Sequence, residues 1–451
     1  MLQMMLSTND RGFGNCMKMP LKPDSLDKIF HEHINKISKS MKNEEIMDKV
    51  REYNSRYIHW DELRYKDLQV DPKIIWALMK LSRRNSSKQF SFNAWVFQYN
   101  VINDAQRILH LLDKGAAGMF YTDIDSVDKS GMDRYVISSL MEEAIASSQL
   151  EGAATTRRIA KEMLRTKKRP KTRSDQMIIN NYNTIIKIRK LKDEKLSSPM
   201  ILDIHKCITE NTLEDKEFEG KYRQDNEIVV ADPFEADKIF HQPPDFNEVP
   251  SLIDELCNFI NNNKEEFFHP LIKAIIIHFL IGYIHPFVDG NGRLARALFY
   301  WFALKNGYWL FELMTISKAI KQSRVNYDKS YLYVETDNND LTYFINYNLK
   351  ACEKALGNIQ NYIKRKHKEQ IEAMKFAQEN PELNFRQAEI LKDLIKHSDR
   401  SFSINEIMTK FAVVYQTARS DLLLLNELGY ISKRKIGKKF IFRYNQERVM
   451  K

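Results

Sequence analysis

Apolar positions recur every three or four residues over most of the chain, a spacing that lines one face of a helix, so the chain reads as mainly α. The densest stretch is 271–281, where Leu271, Ile272, Ile275, Ile276, Phe279 and Leu280 stand among further apolar residues and leave almost no polar face. A helix apolar all round is a buried helix. Pro270 opens it at a first-turn position, where a missing N–H costs nothing. A second helix carries Leu294, Ala297, Leu298, Trp301 and Leu304 at helical spacing until Asn306-Gly307 stops it. Between the two lies a short polar loop. Upstream, Ile137, Leu140, Met141, Ala144 and Ser148 form one stripe that Glu151 continues before Gly152 ends the helix, so a carboxylate arrives on a buried side and needs a cationic partner. An end-of-helix Glu in solvent is the plainer alternative.

The first 113 or so residues also read as helical, with Trp60, Trp76 and Trp95 as packing residues. Ile228-Val229-Val230 and Ile239-Phe240-His241 flank Asp232-Pro233 and predict a hairpin in an otherwise helical region. Its free edge suits the docking of an extended segment, against the alternative of a connecting ribbon. Asn380-Pro381 marks a linker. Beyond it, helices are predicted over 386–396, 404–411 (capped by Ser403) and 416–428, then two strands, 430–434 and 440–444, around Gly437.

Composition changes this picture little. With 451 residues and 43% hydrophobic content the chain suits two or three globular domains. Cys16, Cys207, Cys257 and Cys352 show no paired spacing, which suggests neither a zinc site nor a disulfide framework and points to a reducing cytoplasm. The start of the chain lacks a basic region followed by an apolar core, and the 271–283 run is short and holds Lys273 and His278, so neither export nor membrane insertion is expected. A net charge of +10 fits an acidic partner, but lysine-rich solvated helices give the same balance.

The chemistry is concentrated in His285-Pro286-Phe287-Val288-Asp289-Gly290-Asn291-Gly292-Arg293-Leu294-Ala295-Arg296. Free N–H groups and the positive end of the dipole point out of a helix start, and the glycines admit a ligand closely, so the ligand is anionic. Arg293 and Arg296, a turn apart, can address successive phosphates. Asp289 offers a hard oxygen to Mg²⁺, and His285 is the group that can take a proton near neutral pH. Taken singly, a His before Pro or a Gly-Asn-Gly turn is usually structural.

Together these twelve residues resemble the signature of the Fic family, whose members mostly move AMP from ATP to a protein hydroxyl. The resemblance implies His285 as the catalytic base, Asp289 as the Mg²⁺ ligand, and Phe287, Gly290, Asn291, Gly292, Arg293 and Arg296 as the nucleotide-binding set, with Asn291 and Gly292 at an anion hole. Ser147-Ser148-Gln149-Leu150-Glu151-Gly152 resembles the family's inhibitory helix, so Ser147, Glu151 and Gly152 form an inhibitory motif in which Glu151 pairs with Arg296 and displaces the γ-phosphate. The hairpin at Ile228, Val229 and Val230 corresponds to a target-docking flap, and Tyr327 and Tyr331 lie where base recognition is expected. Similarity covers about 119–375, and the Tyr57-Ile58-His59-Trp60-Asp61 cluster resembles the start of longer members. The C-terminal part resembles a winged helix-turn-helix, with Thr417, Ala418, Arg419 and Ser420 opening a recognition helix and Lys433, Arg434, Lys435, Lys438 and Lys439 on the wing.

The expected fold is thus a mainly α, Fic-type helical core with a β-hairpin flap and a C-terminal winged helix-turn-helix. Its divisions are an N-terminal helical region (1–115), a Fic domain with its inhibitory helix (116–378) and a winged-helix domain (382–451). The expected function is a cytoplasmic protein adenylyltransferase, autoinhibited by Glu151, that uses ATP and Mg²⁺ to modify a Ser, Thr or Tyr hydroxyl of a target protein and of itself. The alternatives are a nucleotide-sensing DNA-binding regulator, or AMP removal or transfer of another phosphate-linked group at the same site. DNA through the C-terminal domain and a homodimer remain open as partners; a membrane does not.

Overall fold

The computed structural model describes residues 18–68, 70–117, 129–231, 237–262, 267–396, 401–411, 413–436 and 439–445. Asp232-Pro233 of the expected flap turn, and Gly437 and Lys438 of the C-terminal hairpin, lie outside the described residues, as do Cys16 and position 119, the start of the family resemblance.

The chain opens with helices α1 (Leu26–Met41), α2 (Glu44–Arg56), α3 (Trp60–Leu63) and α4 (Pro72–Ser86), which enclose a small core around Ile29, Val50, Leu63 and Trp76. Ser25, Asn43 and Asp71 accept the first free N–H groups of α1, α2 and α4, as N-caps do. Helix does not continue to 113. Strands β1 (Lys88–Phe92) and β2 (Trp95–Tyr99) pair antiparallel about Asn93, whose φ is +49°. Phe92, Phe97 and Tyr99 point inward at period two, and their rings join the central core rather than that of α1–α4. Helix α5 (Asn103–Leu112) follows and does the same, so the packing does not break at 115.

Helices α6 (Lys129–Leu150), α7 (Arg157–Thr166), α8 (Arg173–Lys190) and α9 (Ser198–Thr209) lead to two short strands, β3 (Val230–Ala231) and β4 (Ile239–His241), paired antiparallel with a register shift at Val230/Ala231. Ile228 and Val229 stand outside β3, which among the described residues holds Val230 and Ala231. Then come α10 (Val249–Asn261), α11 (Pro270–Ile284), α12 (Asn291–Lys305), α13 (Ile316–Lys321), α14 (Arg324–Thr336) and α15 (Thr342–Glu379). Helix α11 is the axis of the core. Its two polar residues are spoken for: Lys273 Nζ donates to the Ile260 and Asn262 carbonyls at the end of α10, and His278 Nε2 lies 2.9 Å from Tyr327 Oη. Burial draws the Lys273 ammonium down to about 8 and the His278 ring to about 3.

A buried polar cluster ties the N-terminal helices to the α14–α15 junction. Lys80 Nζ lies 2.9 Å from Asp337, Tyr57 Oη donates to Asp340 at 2.8 Å, and Arg83 donates to Tyr343 Oη at 2.9 Å. His59 stacks on Tyr333 with centroids 4.1 Å apart. The Tyr57 to Asp61 cluster therefore serves as an internal joint.

The C-terminal part comprises α16 (Phe385–Lys396), β5 (Ser401–Ser403), α17 (Ile404–Phe411), α18 (Tyr415–Glu427), β6 (Ile431–Ile436) and β7 (Lys439–Tyr444), in a sheet ordered β5-β7-β6 around its own apolar core. Ser403 and Glu406 cap α17 reciprocally. Strand β5 was not foreseen, since three residues carry no readable period. No described helix is long and apolar enough to cross a membrane.

Candidate functional site

Two left-handed residues frame the loop between α11 and α12. His285 caps α11 with φ +47°, and Gly290 caps the start of α12 with φ +89°. The first is unusual for a residue with a Cβ and is held by several bonds. His285 N–H donates to Ile281 O at 3.0 Å, while the Arg223 guanidinium donates to His285 O and the Arg223 backbone N–H to Pro286 O, both at 3.0 Å. Phe287 is fully buried and stacks on His205 with centroids 3.6 Å apart. The Asn291 side chain both accepts from Phe287 N–H and donates to Phe287 O, so it staples the loop.

Hydrogen-bond partners settle two tautomers here. His205 Nδ1 accepts the Gly220 N–H and its Nε2 faces Asp289 O, so it is a neutral ring with the proton on Nε2; burial draws it down to about 4. His285 Nδ1 faces Gly282 O at 3.3 Å and carries the proton, leaving the lone pair on Nε2. Burial first, then the charges of His241 and Arg223, lower His285 to about 4, so at neutral pH it can accept a proton.

Asp289 accepts from Arg293 and from Arg173, each at 3.3 Å. Arg293 is wholly buried and also donates to Ile208 O at 3.1 Å; its Nε has no partner among the described residues. Among the described residues no three His, Cys, Asp or Glu side chains gather into a metal site. The donor set still fits Mg²⁺ of the kind that binds through one carboxylate and completes its shell with phosphate and water. Asp289 would be that carboxylate, beside Arg173, which bonds it at 3.3 Å and the Thr212 carbonyl at 2.6 Å.

Glu151 lies just past the end of α6, and its carboxylate accepts from Arg296 Nη2 at 2.8 Å. Arg296 makes two further bonds to Ser147, from Nε to Oγ at 2.9 Å and from Nη2 to the carbonyl at 3.1 Å. The carboxylate also lies against the first turn of α12, where a Cβ on Gly292 would run into it. Gly152, with φ +93°, turns the chain away. Burial pushes the Glu151 carboxyl up, but Arg296 and then Arg324 overcome that and hold it below its ordinary value. An ionised carboxylate thus sits at the anion-favouring end of a helix, on the guanidinium of the last motif residue.

Tyr327 and Tyr331 are packed among Phe279, Phe344 and Tyr347, with Tyr331 against Gly282. Three residues that build the site were not foreseen, His205, Arg173 and Arg223, which hold the loop; Arg324 also serves it, donating to Leu150 O beneath Glu151. Arg223 lies in Gly220-Lys221-Tyr222-Arg223, just ahead of the predicted hairpin. Nothing local in the sequence ties it to a loop sixty residues on.

The Fic/DOC family profile matches residues 195–303. Among curated proteins the chain is similar to a probable protein adenylyltransferase of Aquifex aeolicus, 32% identical over 126 residues, which are 28% of this chain and 35% of that protein. It is also similar to protein adenylyltransferase Fic of Nematostella vectensis, 29% identical over 119 residues, 26% of this chain and 25% of that one. The chain thus spans about a quarter to a third of the length of these relatives. Among solved structures, Fic-1 of C. elegans superposes with a TM-score of 0.53 at 15% identity, covering 76% of this chain and 90% of that one, which shows a shared fold. The loop, the helices around it and the family match coincide, so residues 195–303 carry a Fic/DOC-type domain.

Proposed function

We propose that the protein is an adenylyltransferase that moves AMP from ATP to a hydroxyl of a target protein and of itself, and that Glu151 restrains it. The observation that carries this reading is the Glu151 carboxylate on Gly292 and Arg296, a built-in anion at the place an anionic substrate would take. His285 Nε2 takes the proton of the incoming hydroxyl, whose oxygen bonds to the α-phosphorus while the bond to pyrophosphate breaks. The free N–H groups of Asn291 and Gly292 face the phosphates, and Arg293 and Arg296 neutralise them. Asp289 would hold Mg²⁺, which when bound supplies charge neutralisation to the phosphates. Strands β3 and β4 offer an edge for an extended target segment as the flap.

The test is incubation with labelled ATP, UTP or GTP and Mg²⁺, followed by a search for label on protein. Transfer from ATP, rising when Glu151 is replaced, supports the reading. Transfer from another nucleotide alone, or release of AMP from modified protein without transfer, replaces it.

A second reading concerns the C-terminal part, which has the order of a winged helix. Arg419 on α18 and Lys433, Arg434 and Lys435 on β6 are exposed. These suit the phosphates of duplex DNA, with an affinity that falls steeply as salt rises. Filter binding to duplex DNA between low and physiological salt decides it, and no binding at low salt removes it.

A further inference from the structure

His241, the last residue of β4, is buried, and both its ring nitrogens face oxygens that can only accept or that belong to an acid. Nε2 lies 2.8 Å from the Tyr283 carbonyl and Nδ1 lies 3.0 Å from the Glu335 carboxylate. A carbonyl oxygen has no proton to give, so Nε2 must donate. Nδ1 faces both carboxylate oxygens of a side chain that reaches the surface, a setting that suits an imidazolium on a carboxylate. The contrast with His205 is instructive, because there one partner is an N–H donor and the ring is neutral.

The place of this charge matters. Tyr283 O is one of the last-turn carbonyls of α11 that no helical N–H reaches, where a cation is favoured. Two residues on stands His285. The ring therefore joins three elements, β4 through its own backbone, α11 through Tyr283 and α14 through Glu335. The titratable and charged groups facing it are Glu335 from α14, Arg223 from the segment before β3, Tyr283 from α11, its ring centroid 5.0 Å away, and His285 from the loop.

We propose that His241, held as an imidazolium between Glu335 and the Tyr283 carbonyl, is a positioning residue that fixes the flap strand relative to His285 and keeps His285 in the neutral form that can act as a base. The electrostatics of the two rings agree with this placement. Burial opposes the charge on His241, yet the Glu335 carboxylate and the Tyr283 carbonyl together raise it above its ordinary value. The His241 charge is in turn the second cause, after burial, that lowers His285. One cation is trapped so that its neighbour stays uncharged. The inference rests on the transferase reading for its catalytic part and on geometry alone for its charge.

The experiment uses the full chain carrying Glu151→Gly, with and without His241→Gln or Glu335→Gln, and follows transfer from labelled ATP across the acid range. Glutamine can still donate to Tyr283 O but carries no charge. The expected result is that kcat/KM begins to fall at a pH higher by up to about one unit in both variants, an acid-side loss of about tenfold, with a smaller effect at pH 8. The double variant should shift no further than the larger single one. Transfer with an unmoved acid limb in both variants overturns the proposal. No transfer from any form overturns the transferase reading instead, and the charge is then decided by ¹⁵N imidazole spectra, assigned by the signal lost in His241→Gln. A doubly protonated His241 persisting above its ordinary value, and lost in Glu335→Gln, supports the proposal. A ring already neutral below that value overturns it.

Discussion

At the scale of single residues the site depends on where protons and left-handed backbone are placed. Burial first, and the charges of His241 and Arg223 after it, favour the neutral form of His285, and the residue is left-handed because Arg223 and the α11 end hold it so. Replacing it tests both. His285→Asn, a residue that tolerates the left-handed region, should abolish transfer while leaving the melting temperature and ATP binding near those of the parent; His285→Ala should abolish transfer and also cost about 1 kcal/mol of backbone strain. Calorimetry of ATP binding beside the transfer assay checks this, and comparable transfer by either variant would remove His285 as the base. Asp289→Ala should lose metal-dependent transfer and loosen Arg293 as well, because the two side chains lie 3.3 Å apart. Asp289, Arg293 and Arg296 stand together in one short stretch and could be read as a group, whereas Arg173 and Arg223 reach the loop from distant elements and could not. Phe287 and Asn291 show the limit of that reading: one is packed on His205 and the other is bonded to the loop backbone, and neither role follows from residue type.

At the scale of elements, α6 and α12 are joined where Glu151, just past the end of α6, meets Arg296, 145 positions on in the sequence. Glu151→Gly should free Arg296 and raise transfer and self-modification more than about tenfold, since a bias of only about 1.4 kcal/mol between blocked and competent poses gives that factor. Stability without nucleotide should fall by about 1–3 kcal/mol, a moderate loss because Ser147 keeps two of its bonds to Arg296. Glu151→Gly combined with Arg296→Ala should show no such activation; if it is as active as the single variant, Glu151 restrains something else. The pH sign follows from the depressed carboxyl. The pair adds stability above the ordinary carboxyl value of 4.5 and loses it as pH falls through the lower folded value, so the restraint persists throughout the neutral range. The Glu151 stripe was readable because helical period carries through to its last turn, and α11 and α12 because their apolar runs are long. The β1–β2 hairpin was masked by an expectation of helix on both sides, although Phe92, Phe97 and Tyr99 alternate. The short strand β3 depends on its pairing with β4, which no local pattern encodes.

At the scale of the whole molecule, the C-terminal part rests on the same α6–α7 pair that presents Glu151. Thr409 Oγ1 of α17 donates to the Arg165 carbonyl at 3.2 Å, and the Arg165 guanidinium reaches Glu406 at 3.5 Å. Helix α7 is in turn strapped to α6, where Glu142 receives Arg157 and Lys161, the latter at 2.9 Å. Burial pushes Glu142 up, but these two cations hold it below its ordinary value. Beside these contacts a cavity of about 610 Å³ opens between α6, α7, α15, α16 and α17, and no residue of the 285–296 loop lines it. The junction is thus partly solid and partly hollow, the kind of contact that can be loosened without unfolding either side. Two consequences are measurable. Because the C-terminal core closes on itself around Leu391, Phe402, Leu422 and Phe442, a fragment from about residue 381 should fold alone, with a cooperative melt by circular dichroism. The full chain carrying Glu406→Ala, with α17 no longer pinned to α7, should hold α6 less firmly and transfer about two- to fivefold faster, corresponding to a coupling of about 0.5–1 kcal/mol. That gain must vanish when Glu151→Gly has already removed the restraint, for a looser α6 then has nothing left to release. Coupling between sites is reciprocal, so if the Glu406 contact bears on the clamp, ATP occupancy should weaken the hold of α17 on α7, seen as faster amide exchange along α17 when nucleotide is added. An equal gain from Glu406→Ala with and without Glu151 would show that the C-terminal part acts on transfer by a route that does not pass through the Glu151–Arg296 pair.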